Sequence, residues 1–539
     1  MRSTLRSLSF LFLPLLTIPL WADEGHHHAL TDAEIGSINF PNSCSAEVKT
    51  GFNRAVALLH SFQYEQSRQI FETVAKKDTH CAMAEWGVAM SHYHGLWKNG
   101  DLDAGRAALD KARKVATSAT TTTTREKAFI EALAEIYKQD GSDAVTHDLA
   151  YQRQLSRLHS ENPGDSEAAI FYALSLGVSA PKTDKTFANQ RQCGEILEPI
   201  FRQQPHHPGV AHYLIHCYDN PVLAKQGLTA ARAYAKIAPG SAHAQHMPSH
   251  IFTRVGSWDE SIESNQRSKS SATQAETTST NGEARDQRLH AMDYLEYAYL
   301  QSGLDSQAKK VLEELHSLAP VSGLTLTGNY GASAIPARYA VERRDWKQAA
   351  QLNPDPAVVP WAQALTWSAI GEGAARSGNV ERAKQAEQSL ASLREQANAL
   401  KNTYWSNQID VQRREVAAWI AHADGNHAEA LSKIKAAVEL EETMDKDAVT
   451  PGAITPAREM LAELLALQNQ SAQALAEYEA VLQLAPNRFN ALYGAGTAAE
   501  SAGNASKAAE YYRALMSVAK GEERPELVTA RKKLTLARK

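Results

Sequence analysis

The sequence predicts an all-α protein built as one long solenoid of about twelve helix-turn-helix units. Two observations support this. Small residues recur at 34-residue intervals inside predicted helices, as Ala349 and Ala383 do, and again Ala474 and Ala508. Alternating runs of β-branched residues, which would predict strands, are absent from the sequence. A single hairpin cannot bury its own apolar face, so stacked units must share one continuous core.

The N-terminal segment, residues 1–22, has the features of a secretory signal peptide. Arg2 and Arg6 precede a short apolar run at 10–21, which two prolines interrupt. That run is too short to span a bilayer comfortably, although an uncleaved anchor is the alternative. Cleavage would leave a flexible segment at 23–40. We therefore expect a periplasmic or secreted protein with no membrane span after signal removal.

The composition is that of an ordinary globular protein. The chain has 539 residues, of which 43% are hydrophobic and 22% charged, and its formal net charge is −5. These values exclude a disordered or collagen-like chain. Because the chain has no overall basic surface, we expect no nucleic-acid partner.

The four cysteines form two pairs that are close in sequence. Cys44 and Cys81 span about one hairpin, and so do Cys193 and Cys217. In an oxidising compartment such pairs form disulfides, each stabilising the fold by ~2–4 kcal/mol. The sequence therefore predicts two local disulfides, with four buried thiols as the alternative.

The small-residue position can be followed along the whole mature chain. It is occupied in order by Ser67, Ala104, Tyr151, Cys193, Gly227, Ser261, Ala308, Ala349, Ala383, Ala430, Ala474 and Ala508. Intervals longer than 34 residues indicate inserted loops, and the polar segment 268–285 predicts such a loop, or a lid over a groove. We divide the array into an N-terminal part, 41–316, with a histidine-rich inner face, and a C-terminal part, 317–539.

Two segments resemble the tetratricopeptide repeat (TPR) consensus of a bulky residue, Leu-Gly, a turn, Ala, an aromatic residue and a closing Pro. They are residues 365–386 and 474–515. The motifs HYLIH at 212–216 and HMPSH at 246–250 further resemble a family of bacterial exported TPR proteins. The resemblance covers nearly the whole mature chain and implies a large TPR superhelix. It implies no reaction and no substrate.

Histidines recur in phase with these repeats. His212 and His216 are spaced i, i+4, and so are His246 and His250, which places each pair on one helix face. The two pairs are themselves 34 residues apart. Stacking the repeats therefore places His212 beside His246 and His216 beside His250.

The resemblance to the TPR family also implies which positions line the concave groove. In this sequence these positions hold His212, His216, Asp219, His243, His246, His250, Arg254, His290, Asp293 and Tyr297, and His60 and His94 form a further pair near the N-terminus. They bring together imidazole, carboxylate and guanidinium groups on one predicted surface.

Three interpretations of this surface remain open. The first is a site for Zn, Cu, Ni or Fe, because neutral imidazoles from adjacent helices suit these ions. Its ligands would be His212, His216, His246, His250, His290 and Asp293. The second is a groove that binds a polar partner through Asp219, His243, Arg254, Tyr297, His60 and His94. The third is a structural role for the histidines. Pro248 interrupts the second pair and could shift its geometry.

The sequence contains no GxSxG, P-loop or dinucleotide-binding glycine motif, so it assigns no catalytic residue and favours a protein that is not an enzyme. The expected function is that of an exported scaffold that binds a protein, peptide or ligand in its groove. The alternative is a metal-binding protein or metalloenzyme.

Overall fold

The computed structural model of the chain describes residues 30–277, 282–319 and 324–536. The predicted signal peptide, 1–22, lies outside them. Within these ranges the secondary structure is helical and includes no strand, so the predicted all-α TPR-type solenoid is confirmed. No helix in the described part of the chain is long and apolar enough to cross a bilayer.

The described residues form a short leading helix, twelve consecutive hairpins and a closing helix. The helices are α1 (Asp32–Ile35), α2 (Lys49–His60), α3 (Tyr64–Lys77), α4 (Ala82–Met90), α5 (Leu102–Ser118), α6 (Thr124–Ala134), α7 (Ala144–Glu161), α8 (Ser166–Val178), α9 (Ala188–Gln203), α10 (Pro208–Tyr218), α11 (Leu228–Ile237), α12 (Ala242–His246), α13 (Pro248–Val255), α14 (Trp258–Glu276), α15 (Glu283–Gln301), α16 (Asp305–Ser317), α17 (Leu326–Val341), α18 (Trp346–Ala350), α19 (Pro360–Arg376), α20 (Val380–Ala399), α21 (Thr403–Ala423), α22 (His427–Glu441), α23 (Ala457–Leu467), α24 (Ser471–Leu484), α25 (Phe489–Ser501), α26 (Ala505–Val518) and α27 (Pro525–Leu536), with 3-10 turns at Ala46–Val48 and Ala224–Gly227. In the sixth hairpin α12 and α13 together form the first helix, because Pro248 interrupts it.

The small-residue position falls in the second half of each hairpin, where two helices pack closely. Ser67 on α3 and Ala474 on α24 are fully buried there. In the second hairpin, however, Ala104 is only half-buried and the tightly packed residue is its neighbour Gly105. A Cβ atom on Gly105 would lie 2.2 Å from the hydroxyl of Tyr137. The predicted position is therefore wrong by one residue in this hairpin.

The predicted polar loop at 268–285 is wrong over most of its length. Helix α14 continues to Glu276, and α15 begins at Glu283. Ser268 and Ala272 are buried against the preceding helix, and the Ser268 hydroxyl donates a hydrogen bond to the carbonyl of Ala242. Small polar side chains can thus occupy a helix–helix contact, which a polarity pattern does not reveal.

The solenoid folds back on itself. The Trp258 indole N–H donates to the carbonyl of Asn487 at 2.9 Å, and the Phe489 N–H donates to the Gln301 side chain at 2.9 Å. Residues 443–456, which connect α22 to α23 and are called the covering loop below, cross to the N-terminal half. There the Asp445 N–H donates to the carbonyl of Lys182 at 3.1 Å. The C-terminal hairpins therefore cover the inner wall formed by the fifth to seventh hairpins.

Two disulfides stabilise the N-terminal half. Cys44 is bonded to Cys81, and Cys193 is bonded to Cys217. The second disulfide links α9 to α10, the helix that carries the first histidine pair. Each bond connects elements of one hairpin or of adjacent hairpins, so it reinforces local packing.

Candidate metal centre

Six histidines converge on the inner wall from the first helices of three consecutive hairpins. They are His212 and His216 on α10, His243 and His246 on α12, His250 on α13 and His290 on α15. All are buried except His216, which is half-buried. Their imidazole nitrogens form two groups, each with its atoms within 4.8 Å of one another.

The first group, called site A, consists of His212, His216 and His243. The Nε2 atom of His212 lies 3.1 Å from Nε2 of His216 and 3.0 Å from Nε2 of His243. Two nitrogens bonded to one tetrahedral ion at ~2.0–2.1 Å would lie about 3.3 Å apart. Two of the three nitrogen–nitrogen distances are thus close to the spacing that a transition metal requires, and the third is within 4.8 Å.

The second group, called site B, consists of His246, His250 and His290. The Nε2 atoms of His246 and His250 are 3.0 Å apart. The ring of His290 lies 4.2 Å from that of His246, and neither of its nitrogens has a hydrogen-bond partner among the described residues. A buried imidazole without a partner loses its hydration without compensation, so site B has an unmet requirement for a ligand.

Hydrogen bonds to acceptors fix the proton position on three of the six rings. Nδ1–H of His212 donates to the carbonyl of His60 at 2.6 Å, and Nδ1–H of His246 donates to Oδ1 of Asn265 at 2.7 Å. Nδ1–H of His250 donates to the carboxylate of Asp219 at 2.9 Å. Each bond leaves the Nε2 lone pair directed into its site, which is the arrangement that supports metal-bound histidines.

The two sites lie next to each other. The rings of His216 and His250 are 6.3 Å apart, and those of His243 and His246 are 6.5 Å apart. His216 thus meets the residue 34 positions later, as the repeat predicts. His212 instead meets His243, 31 positions later. The break at Pro248 accounts for this difference, because it separates the segment that carries His243 and His246 from the one that carries His250.

Aromatic rings enclose the histidines. Phe62 packs 4.4 Å from His212 and 5.5 Å from His243, measured between ring centroids. Trp97 lies against both His243 and His290. Because of this burial the pKa values of all six imidazoles are lowered, and neighbouring imidazoles lower most of them further. The rings are therefore neutral at pH 7, the form that binds metal.

Two predicted groove residues, Asp219 and Arg254, form a charged network next to site B. Asp219 accepts from His250 and forms an ion pair with Arg254 at 2.8 Å. Lys446, from the covering loop, binds the same carboxylate at 3.0 Å. The charges of Lys446 and Arg254 hold the pKa of Asp219 well below its usual value, so it is a carboxylate that can only accept.

Asp293 and Tyr297 lie on the same helix as His290 but are engaged elsewhere. Asp293 forms a fully buried ion pair with Arg338 at 2.8 Å and is not grouped with the histidines. The Tyr297 hydroxyl accepts a hydrogen bond from Arg488 at 3.2 Å. Both side chains therefore belong to the contact between the two halves of the solenoid.

The side chains of His60 and His94 are not part of either site, although the carbonyl of His60 accepts from His212. Nε2–H of His60 donates to Glu167 at 3.1 Å, and the Tyr213 hydroxyl donates to its Nδ1 at 2.9 Å. His207 donates to the other oxygen of Glu167 at 3.0 Å. Both nitrogens of His60 are therefore satisfied within the protein, whereas Nδ1 of the buried His207 has no partner among the described residues. His94 stacks on Tyr64, with 4.0 Å between centroids, and donates to Asn99.

Several residues of the centre have no recognisable signal in the sequence. Asn265 lies on a second helix, in a position that the repeat assigns to packing. Lys446 reaches Asp219 across 227 residues. Phe62 and Trp97 follow the first helices of their hairpins and have the composition of ordinary core residues. Only the structure brings them to the histidines.

Comparison with known proteins gives distant similarities. No family model and no curated protein sequence matches the chain. Among solved structures, the chain is similar to human IFIT1 in its dimer with PPP-AAAA, with 13% identity over 87% of this chain and 90% of that one and a TM-score of 0.36. It is also similar to yeast Tom70, with 10% identity over 90% and 89% of the two chains and a TM-score of 0.25. Similarities this distant carry no argument about function, and the fold described above rests on the helices themselves.

Proposed function

We propose that this helical-repeat protein is an exported metalloprotein that holds two transition-metal ions in adjacent three-histidine sites, A and B. The observation that carries the proposal is the pairing of His246 and His250. Both rings donate their Nδ1–H to an acceptor, and their Nε2 atoms lie 3.0 Å apart. In the neutral rings, two lone pairs then face each other with no proton between them. A shared cation resolves this repulsion.

Site A supports the same conclusion, because it has more nitrogens than one hydrogen bond can satisfy. The Nε2 lone pair of His212 is approached by nitrogens of both His216 and His243. One lone pair can accept only one N–H at that distance and geometry. An ion at the centre of the three nitrogens satisfies all of them at once.

The ligand type narrows the choice of ion. Neutral imidazoles suit zinc, copper, nickel or iron, whereas magnesium and calcium prefer oxygen ligands. Three protein ligands per ion leave a further coordination position, as in catalytic rather than closed structural sites. We therefore place this protein among candidates for metal-dependent chemistry and assign no reaction to it.

Metal analysis of the mature, untagged protein tests this proposal. We expect about two equivalents of metal per chain, and stabilisation by ~3–4 kcal/mol at ion concentrations of several hundred times the Kd. His216→Ala should remove the ion of site A, and His250→Ala that of site B. His94→Ala is the matched control and should retain both ions. The proposal fails if the protein contains no metal and if Zn²⁺ and Cu²⁺ leave its Tm unchanged.

Export forms part of the proposal. It is supported by the predicted signal peptide and by the two disulfides, since such bonds persist in oxidising compartments. Cell fractionation of the full chain should place the mature protein outside the cytoplasm, and mass spectrometry should find residues 1–22 removed. A full-length protein with reduced cysteines in the cytoplasm would contradict export.

Binding of a protein or peptide in the groove remains a prediction from the repeat pattern. Near the histidines the inner wall is covered by the chain itself, because Tyr294 donates to the carbonyl of Thr450 and Lys446 binds Asp219. A partner would therefore have to use another stretch of the wall. A variant that keeps both metal ions but no longer captures its partner would show that the two functions are separate.

A further inference from the structure

A cavity of about 90 Å³ lies in the C-terminal half, between α17, α19, α21, α22 and the covering loop. By the same measure a single water molecule needs on the order of 10–15 Å³. The cavity can therefore hold a small organic group and is too small for a folded partner. None of the six histidines of sites A and B lines it.

Aromatic rings form much of its wall. Trp361 and Trp405 stack nearly parallel, with centroids 5.9 Å apart, and Tyr404 packs edge-on against Trp405. Tyr330 contacts the same indole at 5.8 Å. The faces of such rings carry negative electrostatic potential and attract organic cations.

Three glutamates from different helices also line the cavity. Glu372 on α19 is paired with Arg376 at 3.0 Å, and Glu441 on α22 accepts from the Ala457 N–H at 3.0 Å. Glu415 on α21 is only 4% exposed, yet it has no hydrogen-bond or ion-pair partner among the described residues. It is a buried carboxyl group that lines the cavity, and Glu441 and Glu372 are its charged neighbours.

Two further polar atoms of the lining are buried and unpartnered within the described part of the chain. They are the indole nitrogen of Trp361 and the Oε1 atom of Gln412. Buried polar atoms nearly always have a partner, so these two atoms leave room for a ligand, whose N–H the Gln412 oxygen can accept. Gln412 and Glu415 can accept hydrogen bonds, and both lie on α21.

The charge balance points to a cation. No ion pair joins Glu415 or Glu441 to a basic side chain in the described ranges, although the charges of Arg458 and Arg488 lower the pKa of Glu441. Lys446 also lines the cavity, but its ammonium group binds Asp219 instead. Burial raises the pKa of Glu441 to about 7 and that of Glu415 well above its usual value. Burial therefore favours the neutral, protonated form of both groups, and a cation bound beside them would favour the ionised form.

We propose that this cavity binds the head group of an organic cation, a primary ammonium or a guanidinium on a short apolar stem. Glu415 and Gln412 accept its N–H groups, and the rings of Trp361 and Trp405 contact its stem. The cation has two possible sources, a free small amine or the side chain of a lysine or arginine in a peptide.

Titration calorimetry on the mature full-length protein tests this proposal. We expect saturable binding of n-butylammonium or ethylguanidinium, and binding of the isosteric n-butanol at least tenfold weaker. A short lysine-containing peptide, compared with its norleucine counterpart, distinguishes the two sources. Tighter binding of the lysine peptide than of n-butylammonium would assign the cavity to peptides, and the reverse would assign it to free amines.

The variant Glu415→Gln keeps the shape of the side chain and cannot ionise when a cation binds. We expect it to fold at least as stably as the parent and to bind n-butylammonium at least tenfold more weakly. Glu439→Gln, an exposed change on α22, is the matched control and should bind like the parent. Unchanged affinity in Glu415→Gln, equal binding of n-butanol, or no binding of any cation would overturn the proposal. Binding that survives His216→Ala and His250→Ala shows that this test is independent of the metal sites.

Discussion

Asp219 connects site B to the rest of the molecule. Its carboxylate accepts from Nδ1–H of His250 and is held by Arg254 and Lys446. One residue thus fixes the orientation of a proposed ligand and anchors the covering loop. Because it touches a histidine of site B and none of site A, its effects should be specific to one ion.

We expect Asp219→Asn to weaken metal binding at site B by about 10–100-fold, as loss of a ligand-orienting group does elsewhere. Site A should keep its affinity, since His212 is oriented by a backbone carbonyl. Competition with a chelator of known affinity measures the two constants. Asp445→Asn is the control, because Asp445 also pairs with Arg254 but contacts none of the six histidines. Equal losses at both sites would show that Asp219 acts on overall stability instead.

Asp286 on α15 makes stability depend on pH. It accepts backbone N–H groups of Thr325 and Gly328, yet burial raises its pKa to about 6. The folded chain therefore holds this proton at pH values where the unfolded chain has released it. This contribution to stability is complete below about pH 4 and is lost as the pH rises through about 6.

Because asparagine cannot ionise, we expect Asp286→Asn to keep its stability where the parent loses stability through ionisation of Asp286. The difference in unfolding free energy between this variant and the parent should shift in favour of the variant between pH 4 and 7. Denaturant unfolding in EDTA across this range measures the difference without a metal contribution. A difference that does not change with pH would contradict the raised pKa.

Two helical glycines show how closely neighbouring hairpins approach. A Cβ on Gly105 of α5 would lie 2.2 Å from the Tyr137 hydroxyl and 2.3 Å from its ring carbon Cζ. A Cβ on Gly177 of α8 would meet nothing within 4 Å among the described residues. The same substitution should therefore have opposite effects at the two positions.

We expect Gly105→Ala to destabilise the protein by about 1–3 kcal/mol, because Tyr137 must move out of a packed contact. Gly177→Ala should be neutral or stabilise by up to about 1 kcal/mol, because alanine restricts the unfolded chain. Thermal or denaturant unfolding of both variants decides between these outcomes. A loss at both positions would show that α8 packs more tightly than described.

Periodicity predicts the positions of the hairpins well, but it predicts the exact packing residues and the helix ends less reliably. The small-residue position identified all twelve hairpins, although its intervals exceed 34 residues in several places and the third hairpin carries Tyr151 there. It failed by one residue at Ala104, where the adjacent Gly105 admits the Tyr137 ring. It also failed at 268–276, where serine and alanine pack inside a helix contact. Composition does not report which face of a polar helix is covered.

The spacing of the histidines likewise predicted only part of the arrangement in sites A and B. The i, i+4 spacing correctly grouped His212 with His216 and His246 with His250. It did not predict that His243 would join the first pair, because the helix break at Pro248 changes which rings face each other. Asn265 was not recognised, since it comes from the second helix of its hairpin.

At the scale of the whole molecule, Arg488 ties two helices of the C-terminal part to Tyr297 of the N-terminal part. It is buried, binds Glu459 at 2.6 Å and Glu342 at 2.7 Å, and donates to the Tyr297 hydroxyl. Glu342 lies at the end of α17, Tyr297 on α15 and Glu459 on α23. No repeat pattern predicts this contact, because its partners lie up to 191 residues away.

We expect Arg488→Met to destabilise the protein by about 3–5 kcal/mol, because it leaves two buried carboxylates without a cation. Arg513→Met, an exposed change on α26, should alter stability by no more than about 0.5 kcal/mol. Denaturant unfolding followed by tryptophan fluorescence and by circular dichroism measures both. Coincident transitions in the parent that separate in Arg488→Met would show that this contact couples the two halves. An effect as small as that of Arg513→Met would exclude such a role.

The covering loop has a consequence for how an ion could enter and leave. Lys446 reaches Asp219 from a position 227 residues later, so the wall behind site B is completed only when the last third of the chain has been made and docked. An ion held there would escape no faster than the two halves separate. The rate at which the halves separate, rather than the affinity of the site, would then determine how long the metal is retained. A chelator would remove the metal on the timescale of partial unfolding.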